Sequence, residues 1–198
     1  MIESFKKVLN SDVFYQIRVS TVTNQPQSVI KEDGIDSKIK TLIIENMPDD
    51  KNAIIFTLDF SPPQKGHKSC YQQPSLYLNK SNQEGINKSC DVVIVYSRSS
   101  NWNVLLIDLK SDEIKPKKIK LQLDNSELFL NYIFSLLNFY YQHPIPNKIK
   151  KIVLTTNPRN TIKSNTYGPN TISSDLPQII PVSVDRFQKG SINFNDLA

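Results

Sequence analysis

Two apolar runs in the middle of the chain, CDVVIVYS at residues 90–97 and VLLIDL at 104–109, leave little choice of local structure. Both are short and rich in β-branched and long apolar side chains, so each reads as a strand. Only residues 98–103 separate them, a polar stretch with Ser99, Ser100 and Asn101. So short a connection predicts an antiparallel hairpin. Chain direction reverses across the turn, which sets the start of the first strand beside the end of the second.

Charged residues sit at those adjoining ends. Asp91 opens the first strand, and Asp108 and Lys110 close the second. Residues two apart on a strand share a face, so Asp108 and Lys110 project together. Asp91 meets them if it lies on that same face, and two carboxylates then reach one cation. A carboxylate and an ammonium at the rim of a buried strand are costly unless they are paired or bound to a metal.

The flanking pattern predicts a mixed sheet with helices. Residues 3–9 open as a short helix, and 13–22 alternate loosely like a strand. Residues 36–46 (DSKIKTLIIEN) carry Asp36 as an N-cap candidate and apolar Ile39, Leu42, Ile43 and Ile44, which suits a helix entering the core. Residues 53–60 (AIIFTLDF) form a strand stopped by Pro62 and Pro63. Residues 64–88 read as a long loop. A long helix runs from Gln122 or Asn125 to Gln142, with Asp124 or Asn125 as cap and His143-Pro144 as terminator. Its Leu128, Tyr132, Phe134, Leu136, Leu137 and Tyr140 are too many for one narrow stripe, so the helix is expected to be well buried. Residues 151–156 (KIVLTT) form another strand and 157–176 a polar loop. Residues 179–184 (IIPVSV) form a last strand that Pro181 assigns to an edge or bulge. The expected class is α/β in the α+β sense, a central mixed sheet flanked by helices.

The fragment Asp91–x16–Asp108–x–Lys110, reading CD, apolar strand, turn, then IDLK, resembles the motif of the PD-(D/E)xK nuclease superfamily. The wider order, a helix before the sheet and a long helix after it, is similar too. The resemblance covers roughly residues 36–156, within one nuclease-like domain spanning 1–198. It departs at Cys90, where the superfamily name has proline, and at Asp108, where glutamate is more frequent. Neither departure removes a ligand.

The resemblance implies a restriction-endonuclease-like core and specific roles. Asp91 and Asp108 would bind Mg²⁺, with Mn²⁺ as a substitute, through hard carboxylate oxygens. The backbone carbonyl of Leu109 would be a further ligand. Lys110 would orient or activate water and offset charge at phosphorus. Gln122, twelve positions after Lys110, would approach the metal from the long helix. An upstream helical acid would complete the shell, with Glu45 as first candidate and Glu3 and Glu32 as alternatives. The implied reaction is Mg²⁺-dependent hydrolysis of phosphodiesters, DNA favoured, by an enzyme of restriction or defence that acts as a homodimer or with a partner protein. A non-catalytic nucleic-acid-binding or protein-interaction module on the same fold is the alternative. A nuclease for RNA or a nucleotide messenger is another.

Charge and composition agree with a polyanion partner without singling it out. The net charge is +5, and Lys115, Lys117, Lys118 and Lys120 cluster just past the motif, either as phosphate contacts or as a solvated loop. Lys148, Lys150 and Lys151 form a second cluster, more simply read as solvated. Tyr71, Tyr77 and Trp102 either stack on bases or, more simply, pack. Hydrophobic residues at 38% and charged residues at 22% exclude a disordered chain. No apolar run approaches the roughly 20 residues needed to span a bilayer. The start, MIESFKKVLNSD, lacks a signal-peptide core, so a cytoplasmic protein with no membrane partner is expected. Cys70 and Cys90 suit a reducing compartment. His67 and Cys70 have HxxC spacing, but a zinc site needs about four ligands.

Overall fold

The computed structural model describes residues 1–32, 37–59, 85–86, 88–111, 114–146, 148–157 and 176–198. Its elements run α1 (Ile2–Val8), β1 (Phe14–Tyr15), β2 (Ile17–Val19), β3 (Pro26–Lys31), β4 (Thr41–Glu45), β5 (Ala53–Phe56), β6 (Val92–Arg98), β7 (Asn101–Lys110), α2 (Pro116–Tyr141), β8 (Lys148–Thr155), β9 (Gln178–Pro181), β10 (Lys189–Asn193) and α3 (Phe194–Leu197). The fold is α+β, built on a central mixed sheet of order β1-β5-β6-β7-β8-β9. A second sheet has the order β10-β4-β3-β2.

The expected hairpin forms the middle of the central sheet. β6 and β7 pair antiparallel from Val92↔Ile107 to Arg98↔Asn101. The turn is tighter than the sequence suggests. Only Ser99 and Ser100 connect the strands, both with positive φ, as a two-residue turn matched to strand twist requires. β7 then passes through α2 to β8, which pairs with it in parallel, the crossover that a parallel pair demands. β9 adds at the edge, with Pro181 as its last residue.

Alternation along the strands separates two cores. Val93, Val95, Val104, Leu106 and Val153 face α1 and α2, packing with Phe5, Leu123, Leu130, Phe134 and Leu137. Val92, Ile94, Leu105, Ile107 and Leu154 face the second sheet, meeting Ile30, Leu42, Ile44 and Phe194.

Three expectations need correction. Residues 37–46 do not make a helix, and Asp36 lies outside the described residues: 41–45 are β4, with Leu42 and Ile44 buried and Ile43 half-buried. Their local pattern is compatible with either element, and pairing with β3 and with the distant β10 decides it. The long helix starts earlier, at Pro116, where a missing N–H costs nothing. Asp124 and Asn125 are therefore interior residues and not caps. Nor is that helix buried all round. Phe134 and Leu137 are enclosed, whereas Leu128, Tyr132 and Tyr140 stand in solvent. The loops expected at 64–88 and 157–176 lie largely outside the described residues. Among the described residues no helix is long and apolar enough to cross a membrane.

Close packing in the second sheet sets one prediction. A Cβ added at Gly190 would sit 2.8 Å from Val182 Cγ1 and 3.3 Å from both Ser183 O and Val184 Cγ1. Val182 is buried and has little room to retreat. Gly190→Ala is expected to destabilise the protein by about 1–3 kcal/mol, read as a lowered urea midpoint at unchanged slope.

Candidate metal centre

The adjoining ends of β6 and β7 meet the first turns of α2. Asp108 follows Val104 and Leu106 on the face that packs against α2, and Asp91 precedes Val93 and Val95 on that same face. The condition for the two carboxylates to converge is therefore met by strand parity. Asp108 is fully buried. Its Oδ1 accepts a hydrogen bond from Gln122 Nε2 at 2.6 Å, and its Oδ2 lies 2.7 Å from Lys110 Nζ. Beyond that ion pair, Oδ2 has no further hydrogen-bond partner among the described residues. Asp91 accepts a 2.6 Å hydrogen bond from the Leu109 backbone N–H through Oδ2.

Two further hydrogen bonds fix the chain just before Asp91. The Cys90 N–H donates to Ser126 Oγ at 2.7 Å, and Gln122 Nε2 donates to Ser89 O at 2.6 Å. Gln122 thus ties the segment before β6 and the Asp108 carboxylate to one point on α2. Ser126 occupies a polar position on the buried face of that helix, between Leu123 and Leu130.

The electrostatics are those of crowded acids. Burial raises the Asp91 carboxyl well above the usual carboxylate range, and neighbouring Asp108 raises it further. Burial also raises Asp108, opposed by Lys110. Lys110 is pulled down by burial but lifted more by Asp108 and Asp91, so its ammonium is held above its ordinary value. Tyr15 is pushed up to about 12 by burial and by the charge of Asp91. Burial likewise pushes the Cys90 thiol up, which marks it as a core residue.

The sequence expectations divide on placement. Asp91, Asp108, Lys110 and Gln122 are brought together. Glu45 ends a strand and lies on no helix. Glu32, the alternative acid, acts on both Asp91 and Lys110. It follows β3 beside Lys40, whereas Glu45 ends β4 about 17 Å further along at the strand rise. Asp59, which the sequence reading passed over, lies in the same field: burial and Glu32 raise its carboxyl, and Lys110 lowers it. Its signal was available, an acid just past the end of an apolar strand. Glu3 pairs with Lys6 on α1.

The lysines divide as well. Lys115, Lys117 and Lys118 are exposed around the α2 N-terminus, which has no acidic residue in its first turn. Lys120 is paired with Asp124 at 2.8 Å. Lys151 meets Asp124 and Glu127, both at 2.6 Å, and Lys150 donates to the Leu197 carbonyl, so these two are structural. Trp102 packs against the α2-side core. Tyr71, Tyr77, His67 and Cys70 lie outside the described residues.

A divalent cation fits this donor set. Mg²⁺ is commonly held by one or two carboxylates, completed by water and substrate phosphate. Asp108 Oδ2 has Lys110 as its ion-pair partner and no further one among the described residues, and two carboxylates that resist joint ionisation are what a cation would relieve. Among the described residues no cluster of three or more His, Cys, Asp and Glu side chains could hold a metal ion. No protein-family model, curated protein or solved structure matches the chain.

Proposed function

We propose that the protein is a Mg²⁺-dependent phosphodiesterase of PD-(D/E)xK type acting on nucleic acid, with DNA as the favoured substrate. The observation that supports it most is Asp108: a buried carboxylate that converges with Asp91 and has Lys110 paired to it at 2.7 Å. Asp91 and Asp108 would hold the cation. Bound there, Mg²⁺ supplies Lewis acidity toward the phosphodiester and a more acidic water.

The chain's own residues account for the remaining requirements. Lys110, 2.7 Å from Asp108 Oδ2, would offer positive charge toward a phosphate oxygen and orient or activate the attacking water. Gln122 positions Asp108 by its hydrogen bond. The N–H of Leu109 holds Asp91, and its carbonyl leaves the extended strand on the same side, where it would be a further ligand. Lys115, Lys117 and Lys118 place positive charge at a helix N-terminus, where a phosphate backbone gains salt-dependent contacts.

Cleavage of plasmid and linear DNA with Mg²⁺, Mn²⁺ or EDTA tests the reading. Wild type is expected to cut only with metal. Lys110→Ala should retain the cation, since removing a neighbouring positive charge does not weaken it, yet cut roughly a hundredfold or more slowly. DNA binding without cutting under every metal condition would favour a non-catalytic module.

A further inference from the structure

The face of α2 turned away from the core carries Leu121, Leu128, Tyr132 and Phe139, all in solvent, with Phe139 79% exposed. Their spacings are seven, four and seven residues. At 100° per residue, these four fall within about 20° of one line along the helix. That is a heptad-type seam, opposite the stripe of Ile119, Leu123, Leu130 and Leu137 that α2 buries. From Leu128 to Gln142 the helix has no charged residue at all. A solvated helix face ordinarily carries charge, so the stripe calls for a covering surface.

The order of spacings identifies that surface. Seven, four, seven reads the same from either end. Two copies of α2 packed antiparallel about a two-fold axis therefore match side chain to side chain. Leu121 meets Phe139 of the second copy, and Leu128 meets Tyr132 of the second copy, along a seam of about 27 Å. This is the self-complementarity that an isologous interface requires. Charge agrees with the antiparallel sense. Lys117 and Lys118 of one copy come beside the carbonyl end of the other's α2, whose last turn has no basic residue of its own.

We propose that the outer face of α2 is the dimer interface of this protein, two copies packing antiparallel through Leu121, Leu128, Tyr132 and Phe139. The inference stands apart from the metal centre and does not require it.

Light scattering and sedimentation equilibrium over a concentration series, on the full chain, test it. Wild type should show twice the chain mass. Leu128→Glu and Phe139→Glu should each raise the dissociation constant roughly a hundredfold or more while leaving circular dichroism unchanged, since both side chains are exposed. In a Cys70→Ser background, the double substitution Leu121→Cys with Phe139→Cys should cross-link two copies on oxidation, and neither single substitution should. A monomeric wild type would overturn the proposal, whatever covers the stripe. So would a dimer indifferent to Leu128→Glu and Phe139→Glu, or cross-linking by the single substitutions.

Discussion

Asp108→Asn is expected to cost the protein its metal-dependent cleavage while leaving the fold in place. The substitution is nearly isosteric, and the amide oxygen can still accept from Gln122 Nε2. What it removes is the charge facing Lys110 Nζ, and with it the carboxylate oxygen proposed to meet the cation. Lewis-acid stabilisation of a phosphoryl transition state is worth several kcal/mol, and about 4 kcal/mol corresponds to roughly a thousandfold in rate. The new amide N–H would also face the ammonium, donor against donor, which displaces Lys110 from its place. Single-turnover cleavage at saturating Mg²⁺, beside a circular dichroism spectrum, separates lost chemistry from lost fold. Retention of more than a tenth of the wild-type rate would remove Asp108 from the reaction.

The largest stability effect is expected at Phe5. Its ring is fully buried and lies 5.7 Å from both Phe56 and Phe134, meeting Phe134 edge-on. One side chain thus joins α1, β5 and α2. Phe5→Ala leaves a cavity among three elements that cannot all close on it, at a cost of about 3–5 kcal/mol. That is a large part of a typical domain's stability of roughly 5–15 kcal/mol. Urea unfolding should show a much lower midpoint for Phe5→Ala, with partial recovery in Phe5→Leu. A loss below about 1 kcal/mol would mean that α1 is not part of the cooperative core.

These residues also show where the sequence was readable. The hairpin and the long helix were legible because their signals are local: two apolar runs, a short polar break, then helical periodicity ended at His143-Pro144. Placing Asp91 with Asp108 and Lys110 needed only strand parity, and Gln122 needed only the helix after β7. β4 was not legible. Ile39, Leu42, Ile43 and Ile44 fit a helix face as well as a strand, and the deciding partner, β10, lies about 150 residues downstream. The exposed stripe on α2 was visible as an excess of apolar residues, but composition could not say which face meets the core. Glu32 and Asp59 act on the centre through their charge, from the end of β3 and from just past β5.

The central claim is that Asp91 and Asp108 hold a divalent cation. Calorimetric titration of metal-free protein with Mg²⁺ and with Mn²⁺, in the absence of nucleic acid, tests it most directly. One cation per chain should bind wild type, and binding should be lost in both Asp91→Asn and Asp108→Asn. No binding to wild type, or equal binding to both variants, would contradict it.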